Sequence, residues 1–464
     1  MHSTVTPDRL TGRSWAVLLV LCGAIFLEGI DVSMMGVALP SIRAELGLST
    51  SELQWVVSAY VLSYGGFVLL GGRAADLFGR RRMFVTWLIV FLVFSGLGGF
   101  ATEGWVLILA RFVTGVAAAF MTPAGLSIIT TSYPEGPQRN KALLVYAGTA
   151  AAGFSLGMVA GGLLTAIDWR WVFFAPVVMS ALILAGALTL LPREAAPDAR
   201  DRGAGLADVD LGGAISLTAA MLLLVATVVR APDVPVTQTV GTAIAGLVLL
   251  AAFVAIERRV SAPLIRLGIL RSGSLVRANL GAFLLVGSFA GFQFIGVLYL
   301  QELRSWTELQ TGLALMVIGI DSILAPTLTP WLVKRFGNSR VVFGGFAFAA
   351  AGYALFLPLS TDWSYPAMLP SLILLGLAFS LAYGPLTIAA TDGISEQEQG
   401  LASGVLTTSF QFGSASGLAV VAAVLAARDE LTVDGFRSAL LVPLGAAALG
   451  LLVSWPGRHR SVSE

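Results

Sequence analysis

Long apolar runs, each about twenty residues and nearly free of charge, dominate this sequence and constrain its folding more than any other feature. A bilayer's hydrocarbon core is about 30 Å thick, and a helix needs about 20 apolar residues to cross it. The runs fall at 15–39, 54–72, 83–101, 105–132, 142–165, 172–191, 209–229, 238–256, 275–300, 308–333, 340–358, 366–390, 401–427 and 438–456. In hydrocarbon every backbone polar group must be satisfied internally, so such runs form helices. A β-barrel is excluded, because its strands need only about 9–11 alternating residues. Only 12% of the chain is charged, against about 25% in a soluble domain. The sequence predicts an all-α integral membrane protein with fourteen spans.

The charges supply an orientation. Of 28 Lys and Arg, six fall on one side of the alternating spans: Arg43, Arg170, Arg230, Arg304, Arg428 and Arg437. Arg111 lies within a span, and the remaining 21 fall on the other side. Cytoplasmic loops carry such an excess, so both termini are expected in the cytoplasm of a multi-pass cell-membrane protein. The first run is too long for a signal-peptide core of about 7–15 residues and reads as a retained helix. A net charge of +1 and no basic stripe outside the loops leave nucleic acid unsupported as a partner. Cys22 is the only cysteine, so no disulfide forms within the chain. The two histidines, His2 and His459, sit in the tails, so no His-based metal site forms in the membrane. No cofactor is implied, and a monomer is expected.

A polar insert at 193–208 reads as a flexible linker, and a second basic connection ends at 272. The expected division is a six-helix bundle over 1–192, the linker, a two-helix insert with its connection over 209–272, and a second six-helix bundle over 273–464. A short internal repeat supports it. Gly72-Arg-Ala-Ala-Asp76-Leu-Phe-Gly79 closes the second span, and Pro330-Trp-Leu-Val-Lys334-Arg-Phe-Gly337 closes the tenth. Repeated halves are characteristic of transporters.

Ionisable groups inside a membrane are costly and mark function by default. Glu28 and Asp31 lie three residues apart and share a helix face. Asp31 and Arg111 fall at similar depths, so an ion pair is expected; it either fixes packing or couples a proton to transport. Asp321 falls near the middle of the tenth span and would suit a cationic substrate or line a wet vestibule. Asn279, Gln293 and Gln411 are candidate cavity liners, or interhelical hydrogen-bond partners. Gly72, Asp76, Gly79, Arg80 and Arg81 form the loop after the second span. There the glycines permit a tight turn, and Asp76 can cap a neighbouring helix or pair with an arginine, as a gate would.

That loop resembles the signature of the major facilitator superfamily. Three further segments are similar to its fourteen-helix drug:proton antiporter branch: Ile30–Pro40, Arg111-Phe-Val-Thr-Gly115, and the helix-five pattern Gly153, Gly157, Met158, Gly161 and Gly162 followed by Trp169-Arg-Trp171. The resemblance implies a 6 + 2 + 6 arrangement with alternating access between two bundles. It implies a proton role for Asp31, coupling through Arg111, gating by Asp76, and a part for Asp321 in binding cationic drugs. The chain departs from the family at Thr114, where a Gln is usual, and at Met158, where a Pro normally follows the glycine. Glu28 is an additional acid.

The leading reading is a proton-coupled exporter of amphipathic organic compounds, with small molecules, protons and lipid as its partners. The alternative within the same fold is a transporter of one specific metabolite. A membrane-embedded enzyme finds no Cys/His cluster, phosphate loop or Gly-x-Ser-x-Gly, and a channel finds no repeated filter segment.

Overall fold

The computed structural model describes residues 12–133, 137–191, 210–231, 234–260, 263–265, 267–392, 394, 399–427 and 432–455. Among them there is no strand. The helices in chain order are α1 (Gly12–Leu46), α2 (Thr50–Phe78), α3 (Arg80–Gly99), α4 (Gly104–Ser132), α5 (Pro137–Thr165), α6 (Trp171–Leu190), α7 (Leu211–Arg230) and α8 (Val236–Glu257). They continue with α9 (Gly273–Leu298), α10 (Glu308–Leu315), α11 (Asp321–Phe336), α12 (Asn338–Phe356), α13 (Tyr365–Thr391), α14 (Gln399–Ala426) and α15 (Val433–Val453).

Among the described residues, thirteen helices are long and apolar enough to cross a membrane. The tenth apolar run differs from expectation. It is not one helix but α10, a 3₁₀ segment at Met316–Ile320, and α11. The break falls on Val317-Ile318-Gly319-Ile320, where β-branched residues and a glycine are poor helix formers. The pieces together remain compatible with fourteen crossings. Several helices also outrun their apolar cores. The first extends to Leu46 and the second from Thr50 to Phe78. Polar caps explain such extensions: Ser49 and Glu52 form a reciprocal capping box that starts α2 beyond the apolar stretch.

Packing follows small residues. α1 lies along α5, α2 along α4, and α3 contacts both α4 and α6. Later in the chain, α9 packs on α14, α15 and α13, and α12 on α13 and α15. These groups meet mainly where α2 packs on α14 and α5 on α10, with smaller contacts of α5 on the 3₁₀ segment and α11 and of α1 on α9 and α10. α7 pairs with α8 and also reaches α2 and α14. α8 turns Val236, Val240, Ile244, Leu247 and Val248 outward, as a lipid-facing helix does. Trp105, Trp331 and Trp455 are exposed near helix ends, which suits interfacial anchors. Trp169 is instead buried and donates its Nε1–H to Glu45 at 2.7 Å, so it ties α1 to the start of α6.

The repeat seen in sequence recurs in the backbone. Gly79 joins α2 to α3 with φ 95°, and Gly337 joins α11 to α12 with φ 85°. Each is a one-residue link in a region that only glycine enters without strain. Gly79→Ala and Gly337→Ala are each expected to cost ~1–3 kcal/mol and to lower the apparent unfolding temperature in detergent. An unchanged temperature would show that these links are not strained.

Candidate functional site

The glycines of α5 decide how close α1 can come. A Cβ at Gly153 would lie 2.7 Å from the Phe26 carbonyl oxygen, one at Gly157 2.8 Å from the Ile30 Cα, and one at Gly161 2.8 Å from the Met34 Cα. In return, a Cβ on Gly29 of α1 would lie 2.8 Å from the Ala150 carbonyl oxygen. The two backbones are therefore in contact along about three turns of α5, as small-xxx-small packing allows. Gly162 turns to α10 instead, where a Cβ would lie 2.8 Å from the Glu308 carbonyl oxygen. Met158 is buried, and α5 runs unbroken through it. Gly312 of α10 packs on its carbonyl. Close α1–α5 packing is thus achieved here without a proline.

This packing seats Asp31 toward α4. Arg111 Nη1 donates to Asp31 Oδ2 at 2.6 Å, and each side chain is 2% exposed. Arg111 Nε donates to the Val56 carbonyl of α2 at 3.3 Å, and its guanidinium lies 4.4 Å from the centre of the Tyr60 ring. One buried cation thus ties α1, α2 and α4 together through a carboxylate, a carbonyl and an aromatic face. The Thr114 hydroxyl donates to the Arg111 carbonyl at 3.0 Å, so it serves its own helix.

Glu28 has a different environment one turn away. It is partly exposed although it lies midway along α1. The Thr122 hydroxyl of α4 donates to its Oε2. Tyr64 of α2 is a second hydrogen-bonding neighbour, and Tyr146 of α5 and Tyr383 of α13 lie within electrostatic reach. No cation pairs with it among the described residues. The two acids thus share a helix face, as expected, yet only one has a counter-ion.

The remaining predicted residues separate into groups. Asn279 donates to the Leu275 carbonyl at 2.8 Å and accepts from the Ser409 hydroxyl at 2.7 Å, so it is an α9–α14 clasp. Gln293 of α9 lies against Gly36 of α1, and Gln411 of α14 lies against Gly65 of α2. Both are partly exposed on the seams between the helix groups. Asp321 begins α11, immediately after the 3₁₀ break, and Asp76 lies in the last turn of α2. The side chains of both lie outside the described residues. Gly72 faces Pro123 of α4, Gly79 makes the turn, and Arg81 donates to the Leu188 carbonyl at 3.1 Å. Arg80 opens α3.

Other residues were not singled out from the sequence. Tyr60, Tyr64, Thr122 and Tyr383 look like ordinary helix residues until the fold gathers them. At the end opposite the basic loops, Arg43 pairs with Glu302 at 2.8 Å, the Ser41 hydroxyl donates to Glu308 at 3.0 Å, and Gln301 donates to the Val37 carbonyl at 3.0 Å. These contacts cross from α1 to the π-helical turn Tyr299–Leu303 that follows α9 and to α10, and they border a cavity of about 550 Å³. In sequence they are loop charges with no visible partner.

Paired helix groups, a buried ion pair and partly exposed polar residues at the seams define a membrane transporter. The chain matches the Major Facilitator Superfamily over residues 21–418, and it belongs to that family. It is 34% identical to the puromycin resistance protein pur8 of Streptomyces alboniger, over 96% of this chain and 91% of that protein. It is 34% identical to the lincomycin resistance protein of Streptomyces lincolnensis, over 88% and 84% of the two chains. The tetracenomycin C resistance and export protein of Streptomyces glaucescens is 27% identical over 97% and 85%. Among solved structures, a POT family transporter in complex with 5-aminolevulinic acid superimposes with a TM-score of 0.68 at 14% identity, covering 94% of this chain and 96% of that one.

The Asp31–Arg111 pair generates a test. Removing one partner strands the other charge, at about 3–5 kcal/mol. Asp31→Leu is expected to lower the unfolding temperature in detergent sharply, and Asp31→Leu with Arg111→Met to recover most of that loss. A double variant no better than the single one would show that the pair is not a mutual neutralisation.

Proposed function

We propose that this protein is a secondary transporter that exports antibiotics or related amphipathic compounds across the cell membrane in exchange for protons. The observation that carries the export reading is the 34% identity to a puromycin resistance protein over nearly the full length of both chains. The coupling reading rests on acids placed where lipid-spanning helices rarely tolerate them. Asp31, Arg111 and Glu28 form one group at the junction of α1, α2 and α4, and Glu28 and Tyr383 bring that group to the seam with the later helices.

Residues 1–192 and 273–464 act as two bundles that rock about a central site, with 193–208 as a linker and 209–272 as an insert. Both termini are cytoplasmic, and the protein works as a monomer that binds one small molecule in the bilayer. Asp321, Gln293 and Gln411 line the substrate path, with Asn279 behind them. The loop of Gly72, Asp76, Gly79, Arg80 and Arg81 gates its cytoplasmic end. Arg43–Glu302 and Ser41–Glu308 close its other end. Such contacts form in one conformation and break in the other, which is what a two-state gate requires.

Purified protein in proteoliposomes is expected to move puromycin when a pH gradient is imposed, and to stop when nigericin collapses that gradient. Movement that ignores the gradient would remove the antiporter reading. Arg43→Ala is expected to raise the fraction of molecules open at the far end, read as faster labelling of a cysteine placed at Ser41. Unchanged labelling would remove that ion pair from the gate.

A further inference from the structure

We propose that Glu28 is the exchange site itself, held in turn by a proton and by a protonated amine of the substrate that carries at least one N–H, with Tyr383 as its partner from the opposite half. The inference deepens the export reading and rests on it.

The argument begins with charge. Asp31 is already neutralised, because Arg111 sits 2.6 Å away and both are sealed from solvent. Glu28 has no such partner. A carboxylate inside the membrane without a counter-charge is costly, and its surroundings offer hydroxyls rather than cations. Among the described residues the titratable groups that act on it are acidic or phenolic: Asp31 on its own helix, Tyr60 and Tyr64 on α2, Tyr146 on α5 and Tyr383 on α13, and the nearby cation, Arg111, is engaged by Asp31. Thr122 of α4 adds a hydroxyl. No described side chain supplies Glu28 with a counter-charge, which leaves the site open to a positive charge from outside the protein. A proton can supply it, and so can an ammonium group. Both cannot do so at once, which makes the site an exchanger.

Geometry selects the kind of ammonium. The Thr122 hydroxyl and the Tyr64 phenol beside Glu28 keep lone pairs that can accept hydrogen bonds, and the Tyr60 hydroxyl is fully buried without a partner among the described residues. An N–H-bearing ammonium satisfies such acceptors, whereas a quaternary cation has nothing to donate. Tyr383 provides the far wall. Its ring is held between Phe379 and Phe410, at 5.1 Å and 4.5 Å with interplanar angles of 20° and 12°. It is nonetheless 42% exposed. Stacking on both faces leaves the edge and the hydroxyl as the accessible part. Held in this way, the hydroxyl is presented with little rotational freedom to lose on binding. The aromatic row continues through Phe289 of α9 to Phe154 of α5, at 5.0 Å and 6.3 Å, and so crosses from one helix group to the other beside the acid.

The step balances. The Glu28 carboxyl releases its proton to water in the cavity, and the ammonium takes its place beside the carboxylate. One positive charge replaces another, so transport through this site responds to the pH gradient and not to membrane potential. On the acid side, the proton competes with the amine. Apparent amine affinity then falls by up to about tenfold for each unit of falling pH.

The test uses full-length protein in detergent with two probes. Puromycin has a primary amine, and tetraphenylphosphonium is a cation without N–H. Binding is measured by calorimetry, and proton release by an indicator dye in weak buffer. Wild type is expected to bind puromycin and release close to one proton per molecule bound. Glu28→Gln is expected to lose at least tenfold in puromycin affinity and all proton release, and Glu28→Asp to retain part of both. Tyr383→Phe is expected to lose about fivefold for puromycin and nothing for tetraphenylphosphonium. Proton release that survives in a folded Glu28→Gln variant would overturn the assignment, as would equal loss of both probes in Tyr383→Phe. Should Glu28→Gln fail to fold, absence of release from Glu28→Asp or dependence of puromycin flux on a valinomycin potential would overturn it instead. If this inference fails while pH-driven puromycin efflux persists in proteoliposomes, the export reading stands without it.

Discussion

Hydrocarbon offers no hydrogen bonds, and the rest of this structure depends on that fact. Backbone groups must be satisfied inside each segment, so the described apolar segments are helical. Lipid also removes most of the hydrophobic drive for helix association, which leaves close packing and polar contacts to hold helices together. The glycines of α5 are the clearest result. Gly153, Gly157 and Gly161 bring α1 to backbone contact, and Gly162 does the same for α10. One helix thereby sets the position of both the helix that carries the acids and the helix that crosses from the other half.

That placement divides two chemically similar residues. Glu28 and Asp31 occupy one face of α1, yet Asp31 lies against Arg111 while Glu28 meets only hydroxyls. When two acids in one site have opposite surroundings, they are suited to different tasks. The paired acid holds three helices in register through Arg111. The unpaired acid is free to exchange its counter-charge. Tyr383 of α13 lies within electrostatic reach of Glu28, so a ligand bound between them would touch both halves. A ligand can shift a conformational equilibrium only through contacts that differ between the states, and a contact spanning the seam is of that kind.

Local chemistry also accounts for the one departure in architecture. The tenth run is apolar enough to read as a continuous span, but its centre is Val317-Ile318-Gly319-Ile320. The outer piece, α10, packs on α5, whereas α11 packs on α13. The 3₁₀ turn between them therefore separates segments that belong to different neighbours, and such turns often serve as hinges. Hydropathy is blind to this break because it counts apolar residues without regard to how they extend a helix.

By itself, the sequence determined the class, the spans apart from the break in the tenth, and the cost of each buried charge, and it allowed the pairing of Asp31 with Arg111. Each of these follows from local composition, or from depth along two helices of known rise. Tertiary structure alone decided that Glu28 has no counter-ion among the described residues, that Tyr60 lies under Arg111, that Tyr383 comes within electrostatic reach of Glu28, and that Arg43 meets Glu302 across the seam. Those pairs lie 51 to 355 positions apart. Helix rotation and approach set them, and small residues on other helices set that rotation in turn. No periodicity within a single helix encodes which neighbour its face will meet.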